Sequence, residues 1–432
     1  MHGYTKPDMT QDKKPGPQPM RTPGRPRPRV SRGTGDFIRM SCAVRDNASH
    51  PRSTVRQGRR MTIRSGMGLL LLLFGSTGLA AAQPVPQLTW IGEADIATGT
   101  DYDGTEIGGL SGIDYDPASG RYVAISDNRG AHGPVRFYTL RLDLGDGRRR
   151  FDIKDVHFTG TTVIRNRAGK PLARGIADPE SIRIGPQGNR IYWTSEGAAA
   201  QGRPPSVNVM TDDGAPVGRF TLPPAYAPRA GHGVRDNLAF ESLTYQPAGD
   251  LWITAVENAL VQDGPVPTTR HASPARVLAF DAATGRPVHQ YVYEVSPIPG
   301  PSPDDGKAAN NGLSEMLTLG PHRYIALERA FIPGVGNRIR LFRTTTRGAT
   351  DISGRDSIRG GQIQPMPKHL LLDLDRAGIQ TDNIEGMTFG PRIDGDRTLV
   401  LIADNNFNPH ERTQILVFRL HAGAASNSAS AG

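Results

Sequence analysis

Five stretches of this chain repeat one form: a short strand, a turn holding Pro or Gly, and a more hydrophobic strand. They are LSGIDYDPASGRYVAISDN (110–128), PESIRIGPQGNRIYWTSEG (179–197), FESLTYQPAGDLWITAVEN (240–258), LSEMLTLGPHRYIALERA (313–330) and IEGMTFGPRIDGDRTLVLIADNN (384–406), with starts 69, 61, 73 and 71 residues apart. Self-similarity at such a period marks a repeat architecture. Further strand-like runs fill the gaps: RFYTLRLDL and FDIKDVHFTG after the first, SVNVMTDDG and VGRFTLP after the second, ARVLAFDAATG and PVHQYVYEV after the third, NRIRLFRTTT and KHLLLDLD after the fourth. Each unit thus carries about four strands, the make-up of a propeller blade. The fifth unit has only TQILVFRL, and a spare strand, QLTWIGEADI, stands upstream of the first. The reading is an all-β β-propeller of five blades, its ring closed by that N-terminal strand so that no sheet edge stays open. A sixth blade would require one repeat diverged beyond recognition.

The repeats also place acids. In an antiparallel hairpin the start of the first strand and the end of the second lie at one end of the sheet. Glu241 and Glu257, sixteen positions apart, therefore become neighbours, and the same offset joins Glu180 to Glu196 and Ser111 to Asp127. The fourth unit offers Ser314 or Glu315 with Glu328. The fifth offers Glu385 with Asp404 at an offset of 19, stretched by RIDGDR. Inner strands converge on the propeller axis, so these side chains should ring one mouth of the central channel.

Gathered carboxylates repel and turn neutral unless compensated. Arg129, Arg235 and Arg329 lie close in sequence and supply charge from within. A hard cation supplies it from outside, and calcium, which takes several oxygens from flexible loops, is the expected ion. The expected ligands are Asp127, Glu196, Glu241, Glu257, Glu315, Glu328 and Glu385. DYDGTE (101–106) and DDGKAANNG (304–312) add loop oxygens, though neither has the twelve-residue calcium-loop pattern. A structural reading competes: rim acids that hydrogen-bond the next blade and fix its angle.

The net charge of +9 is local. Residues 1–82 hold 15 of the 51 basic side chains and 4 of the 42 acidic ones, leaving 36 basic against 38 acidic in residues 83–432. The basic balance belongs to the leader and says nothing of nucleic acid. Within it, residues 61–82 read as a secretory signal peptide: Arg64, an apolar run from Met67 to Phe74 too short for a membrane span, then Ala80-Ala81-Ala82 before Gln83. Residues 1–60, basic and Pro-rich, do not belong before a signal sequence, so Met61 is the expected start. Cys42, the single cysteine, lies in that stretch, which leaves residues 83–432 without disulfide or thiol nucleophile. One propeller domain is expected over 83–421, a disordered Ser- and Ala-rich tail over 422–432, and a periplasmic or secreted location.

Other chemistries find little support. No G-x-S-x-G elbow occurs, GLSG at 109–112 lacking the final spacing. No H-E-x-x-H occurs, and His132, His232 and His410 stand apart, as loop histidines do. GPSPDDGKA (300–308) misses the phosphate-loop spacing and ends in Ala308. With aromatics at 6% and no basic stripe, no nucleic-acid surface is expected.

The ordered set IGGLSGIDYDP, ISDN, DPESIRI, NLAFESLT, AVEN, NGLSEM, LERAF, NIEGMTFGP and LIADNN resembles the phytase-like family of exported bacterial propellers with esterase-like activity, over about 300 residues from Gly104 to Leu420. The resemblance implies a repeated β domain that hydrolyses phosphate esters or diesters. It places the family's acidic positions on Asp127, Glu180, Glu241, Glu257, Glu315, Glu328, Glu385 and Asp404. The dense Lys set of calcium-dependent propeller phytases has no counterpart here. Two functions are expected in turn. One is a calcium-assisted phosphoesterase acting on a small-molecule phosphate ester, with Glu180, Glu241, Glu257, Glu385 and Asp404 as candidate catalytic acids and Arg129, Arg235 or Arg329 gripping the phosphate. The other is a non-catalytic exported propeller that binds a ligand or partner on its acidic face.

Overall fold

The computed structural model describes residues 86–303 and 309–421. The proposed leader, signal peptide and tail, and residues 304–308 of DDGKAANNG, lie outside the described residues.

The described strands form five four-stranded antiparallel blades. Blade 1 is Leu110–Asp116, Arg121–Ser126, Arg136–Leu142 and Val156–Val163; blade 2 is Pro179–Ile184, Ile191–Ser195, Ser206–Met210 and Pro216–Arg219. Blade 3 is Thr244–Gln246, Leu251–Ala255, Ser273–Asp281 and Pro287–Val295; blade 4 is Asn310–Gly320, Arg323–Ile332, Gly336–Thr345 and Lys368–Asp373. Blade 5 is Asn383–Ile393, Asp396–Asp404 and Thr413–His421, completed by Gln87–Ile96 from the start of the domain. That closing strand pairs antiparallel with Thr413–His421, from Gln87 opposite His421 to Ile96 opposite Thr413. The propeller has five blades, with the ring closed as the repeat count predicts.

The hydrophobic second strand of each repeat has a simple cause. It is flanked on both faces, and successive side chains point to opposite faces. In blade 5, Leu399 and Leu401 pack with Ile325 and Leu341 of blade 4, whereas Val400 and Ile402 pack with Ile113 and Ala124 of blade 1. In blade 1, Val123 and Ile125 pack against Ile182 and Trp193 of blade 2. Trp252 of blade 3 stacks on Tyr192 of blade 2 with ring centroids 4.1 Å apart. The core is thus a set of layers between blades, which a run of apolar residues on both faces fills.

One irregularity recurs in all five blades. Between the first and second strands the register slips at Leu110/Gly112, Pro179/Ile182, Leu313/Glu315 and Ile384/Gly386. In blade 3 the Phe240–Val256 bridge and the Thr244–Ile253 pair differ by the same single step. Such a bulge leaves an unpaired residue and re-aims its side chain. The skipped positions hold Ser111, Glu180, Ser314 and Glu385, with Glu241 in the corresponding place. The inner strands also press together around the axis: a Cβ on Gly112 would come within 2.5 Å of the Glu180 carbonyl, and Ser111 Oγ donates to that carbonyl at 2.9 Å. No helix among the described residues is long and apolar enough to cross a membrane.

Candidate functional site

Opposite each bulge, the second strand delivers one more side chain to the same mouth. Backbone bonds fix three of them: Asp127 N to Gly109 O (2.7 Å), Glu196 N to Asp178 O (3.0 Å) and Glu257 N to Ala239 O (2.7 Å). Strand register places Arg329 opposite Gly312 and Asp404 opposite Asn383 in the same role. The mouth thus gathers Asp127, Asp178, Glu180, Glu196, Glu241, Glu257, Glu385 and Asp404. Seven of these are buried and Asp127 is half-buried. Carboxylate oxygens of Asp178, Glu180 and Glu196 lie within 4.8 Å of one another, and so do those of Glu196, Glu241 and Glu257. Glu196 belongs to both groups.

Two guanidiniums serve this cluster directly. Arg329 Nη2 stands 3.3 Å from Glu385 and 3.5 Å from Glu257. Arg129 Nε donates to Asp178 at 2.6 Å and its Nη2 donates to Asn237. Gly312 makes room on the blade 4 side, since a Cβ there would overlap the Glu257 carboxylate.

Among the described residues, Arg129 and Arg329, with a further pull from Arg136 on Asp127, do not offset eight acids. Burial, then the charges of Asp178 and Glu257, push Glu196 up to about 8. Burial lifts Glu257 to about 7 against the pull of Arg329, and Asp178 to about 6 against that of Arg129. Asp127, Glu180, Glu241 and Asp404 are held well above the usual carboxylate range by burial first and by neighbouring acids second. Glu385 is raised by burial, opposed mainly by Arg329. The donor set of the two triads is all carboxylate oxygen, which suits a hard divalent cation. Ser314 Oγ, at the blade 4 bulge, and Asn258 Oδ1, next in sequence to Glu257, are buried without a hydrogen-bond partner among the described residues.

The family described as "Phytase-like: Esterase-like activity of phytase" matches residues 105–407. The chain belongs to the phytase-like family. No curated protein matches this phytase-like chain. Solved structures of similar shape include the catalytic domain of a Coprinopsis cinerea GH62 α-L-arabinofuranosidase, at 10% identity over 78% of this chain and 97% of that one, with a TM-score of 0.37. Another is a putative oxidoreductase (glucose dehydrogenase) from Thermus thermophilus, at 14% identity over 79% and 98%, with a TM-score of 0.33. A protein of unknown function from Dyadobacter fermentans has 10% identity over 78% and 100%, with a TM-score of 0.34. Likeness at this level says nothing about chemistry.

Three residues singled out in the sequence do not join the mouth of the phytase-like propeller. Glu315 lies one position beyond the bulge residue Ser314, and a one-residue step along a strand turns the side chain away. It points into the axis, where it accepts from Arg183 (2.7 Å), Ser181 Oγ (3.0 Å), Leu243 N (3.2 Å) and Met316 N (2.9 Å). Glu328 lies one position before Arg329 and turns outward for the same reason. It accepts from Tyr293, Ser296, Asn311, Arg340 and Lys368. Arg235 donates to the carbonyls of Ala259 (3.0 Å) and Gly264 (2.7 Å), bracing a loop. DYDGTE forms the small hairpin Asp101–Tyr102 and Thr105–Glu106, whose Asp101 and Glu106 carboxylates accept from Gly104 N and Gly99 N.

Two residues escaped the sequence reading. Asp178 stands two positions before Glu180, a place held by Gly109, Ala239, Gly312 and Asn383 in the other blades, so the repeats gave no cue. Arg183 reads as an ordinary strand residue. In the fold its guanidinium donates to Ile113 O, Ile182 O, Leu243 O, Met387 O and Glu315, one acceptor from each blade.

Proposed function

We propose that this phytase-like propeller is an exported hydrolase of phosphate monoesters or diesters that works with calcium at the acid mouth. The convergence of eight carboxylates from four blades, with Arg129 and Arg329 as the guanidiniums in contact with them among the described residues, carries the reading. A fold gains nothing from packing like charges unless something else uses them.

Asp178, Glu180 and Glu196 are the residues that would hold a cation on the blade 2 side, and Glu196, Glu241 and Glu257 those on the blade 3 side. A bound calcium would neutralise phosphate charge and polarise a phosphorus–oxygen bond. The protein's own groups do the rest. Arg129, whose side chain is 52% exposed, reaches a phosphate oxygen as a charge-assisted donor. Arg329 orients Glu257 and Glu385 by standing between them. Glu257, so oriented, takes the proton from an attacking water. Glu385 and Asp404, on blade 5, shape the far wall against Asp127.

The test is a panel of phosphate monoesters and diesters assayed with calcium and with chelator. Turnover should vanish with chelator and return with calcium, and Glu257→Gln should lower kcat by about 10²–10⁴ while the fold survives. Calcium-dependent ligand binding with no turnover on any ester would instead establish a binding propeller. Export rests on residues 61–82, and N-terminal sequencing of exported protein should begin at or near Gln83.

A further inference from the structure

Phe407 and the preceding Asn406 both have left-handed backbone, at φ 51° and 48°. For a bulky side chain that conformation costs energy and persists only where the surroundings fix it. Here they do. Buried Asn405 accepts through Oδ1 from Phe407 N (3.1 Å) and Gly109 N (3.0 Å), and Asn406 N donates to Asp404 (2.7 Å). Glu411 accepts from the side-chain amides of Asn406 and Asn408, each at 2.8 Å.

The strained loop sets the Phe407 ring against the backbone of blade 1. A Cβ on Gly108 or Gly109 would come within 2.8 or 2.7 Å of that ring, and Gly109 also faces the Asp127 carboxylate. The ring therefore borders the acid mouth. His132 stacks on it with centroids 4.1 Å apart and planes 4° from parallel. The His132 loop is held just as firmly: Asn128 donates through Nδ2 to the carbonyls of His132, Gly133 and Pro134 and accepts through Oδ1 from the amides of Gly130 and His132. Each ring is thus carried by a buried Asn that immediately follows an acid of the mouth, Asp127-Asn128 and Asp404-Asn405. Phe407 is half-buried and forms the inner ring, whereas His132 is exposed and forms the outer one. An exposed imidazole adds little to a core, yet two pinned loops and a strained backbone are committed to presenting it. Arg129, the phosphate-gripping candidate, lies on that same loop.

We propose that the His132–Phe407 pair is a specificity subsite that receives a planar aromatic group of the ester, an inference that rests on the phosphoesterase reading. Stacked rings favour an offset parallel partner, and the exposed His132 ring offers one. Substrates with an aryl group on the phosphate would gain over those with a small alkyl group.

The test uses phenylphosphonate and methylphosphonate, two non-hydrolysable probes, titrated calorimetrically in calcium buffer. The full protein should bind the phenyl compound roughly tenfold tighter. His132→Ala, which removes an exposed side chain, should bring the ratio close to one with an unchanged melting temperature, and His132→Phe should restore it. A ratio near one in the unaltered protein, or a ratio that His132→Ala leaves unchanged, overturns the subsite while leaving the acid mouth as a phosphate site. Failure of both probes to bind overturns the phosphoesterase reading, and the subsite falls with it.

Discussion

Glu315, on the inner strand of blade 4, and Glu241, three positions before that of blade 3, are both buried, at 0% and 7% exposure. Their surroundings are opposite. Glu315 is met by Arg183, a hydroxyl and two backbone amides. Glu241 is met by Glu196, Glu257 and Glu385, with Arg329 as its counter-charge. A carboxylate supplied with donors holds the five blades together; one surrounded by its own kind weakens the fold. The two environments lie around the same axis, so burial alone cannot tell a compensated acid from an uncompensated one. The donor inventory can.

The comparison breaks first at the axis. Arg183→Met strands Glu315 and four backbone carbonyls. It should lower unfolding free energy by about 3–5 kcal/mol in denaturant titrations, equally with calcium and with chelator. A loss that appears only in chelator would make Arg183 part of the mouth. Glu328→Gln tests the outer network in the same way. It leaves Lys368 and Arg340 short of their counter-charge and should cost about 2–3 kcal/mol, again without regard to calcium.

The mouth should respond to pH as well, along with Glu315, which burial lifts to about 7 against the pull of Arg183. Glu196 is raised from 4.5 to about 8, and Glu257 from 4.5 to about 7. Above 4.5 the unfolded chain has released these protons while the folded one retains them, so stability is full below that value and is lost as pH rises through the folded values. In chelator the melting temperature should therefore fall, by about 5 °C, between roughly pH 5 and 8. Calcium, binding only the folded ionised form, should flatten or reverse that slope. A flat profile in chelator would mean that the cluster is already compensated. The smallest effect sharpens the contrast most. Glu241→Gln removes an acid that the fold must keep protonated and should raise stability in chelator by about 1 kcal/mol while reducing the gain from calcium. The same exchange at Glu315 should only destabilise.

The strand order, the five repeats and the closing strand were legible because alternation and turn residues act locally. The mouth was legible only in part. Four of five blades announced their acids by spacing, but in blade 4 the offset of sixteen from Ser314 lands on Ala330, and the nearby acid is Glu328. Aligning the second strands instead puts Tyr122, Ile191, Trp252, Tyr324 and Leu399 five positions before Asp127, Glu196, Glu257, Arg329 and Asp404. That alignment would have shown a cation standing where the others carry acids. The bulge itself left no mark in composition, and it decides which side Glu315 faces. Asp178 and Arg183 answer to groups from distant blades, which no local pattern records.

Four blades draw their strands from contiguous chain, but the fifth joins the two ends of the domain: Thr89 and His421 share a side-chain hydrogen bond across 332 positions. Bringing such distant partners together costs roughly 2–3 kcal/mol more chain entropy than closing a hairpin of about 20 residues. The contact therefore raises the contact order of the whole domain and makes ring closure the slow event of folding. Until synthesis reaches Thr413–His421 the first strand has no partner, and until the two meet the last strand keeps an open edge. The nascent propeller must spend that interval shielded from its neighbours, because an unpaired edge on one molecule fits the same edge on another.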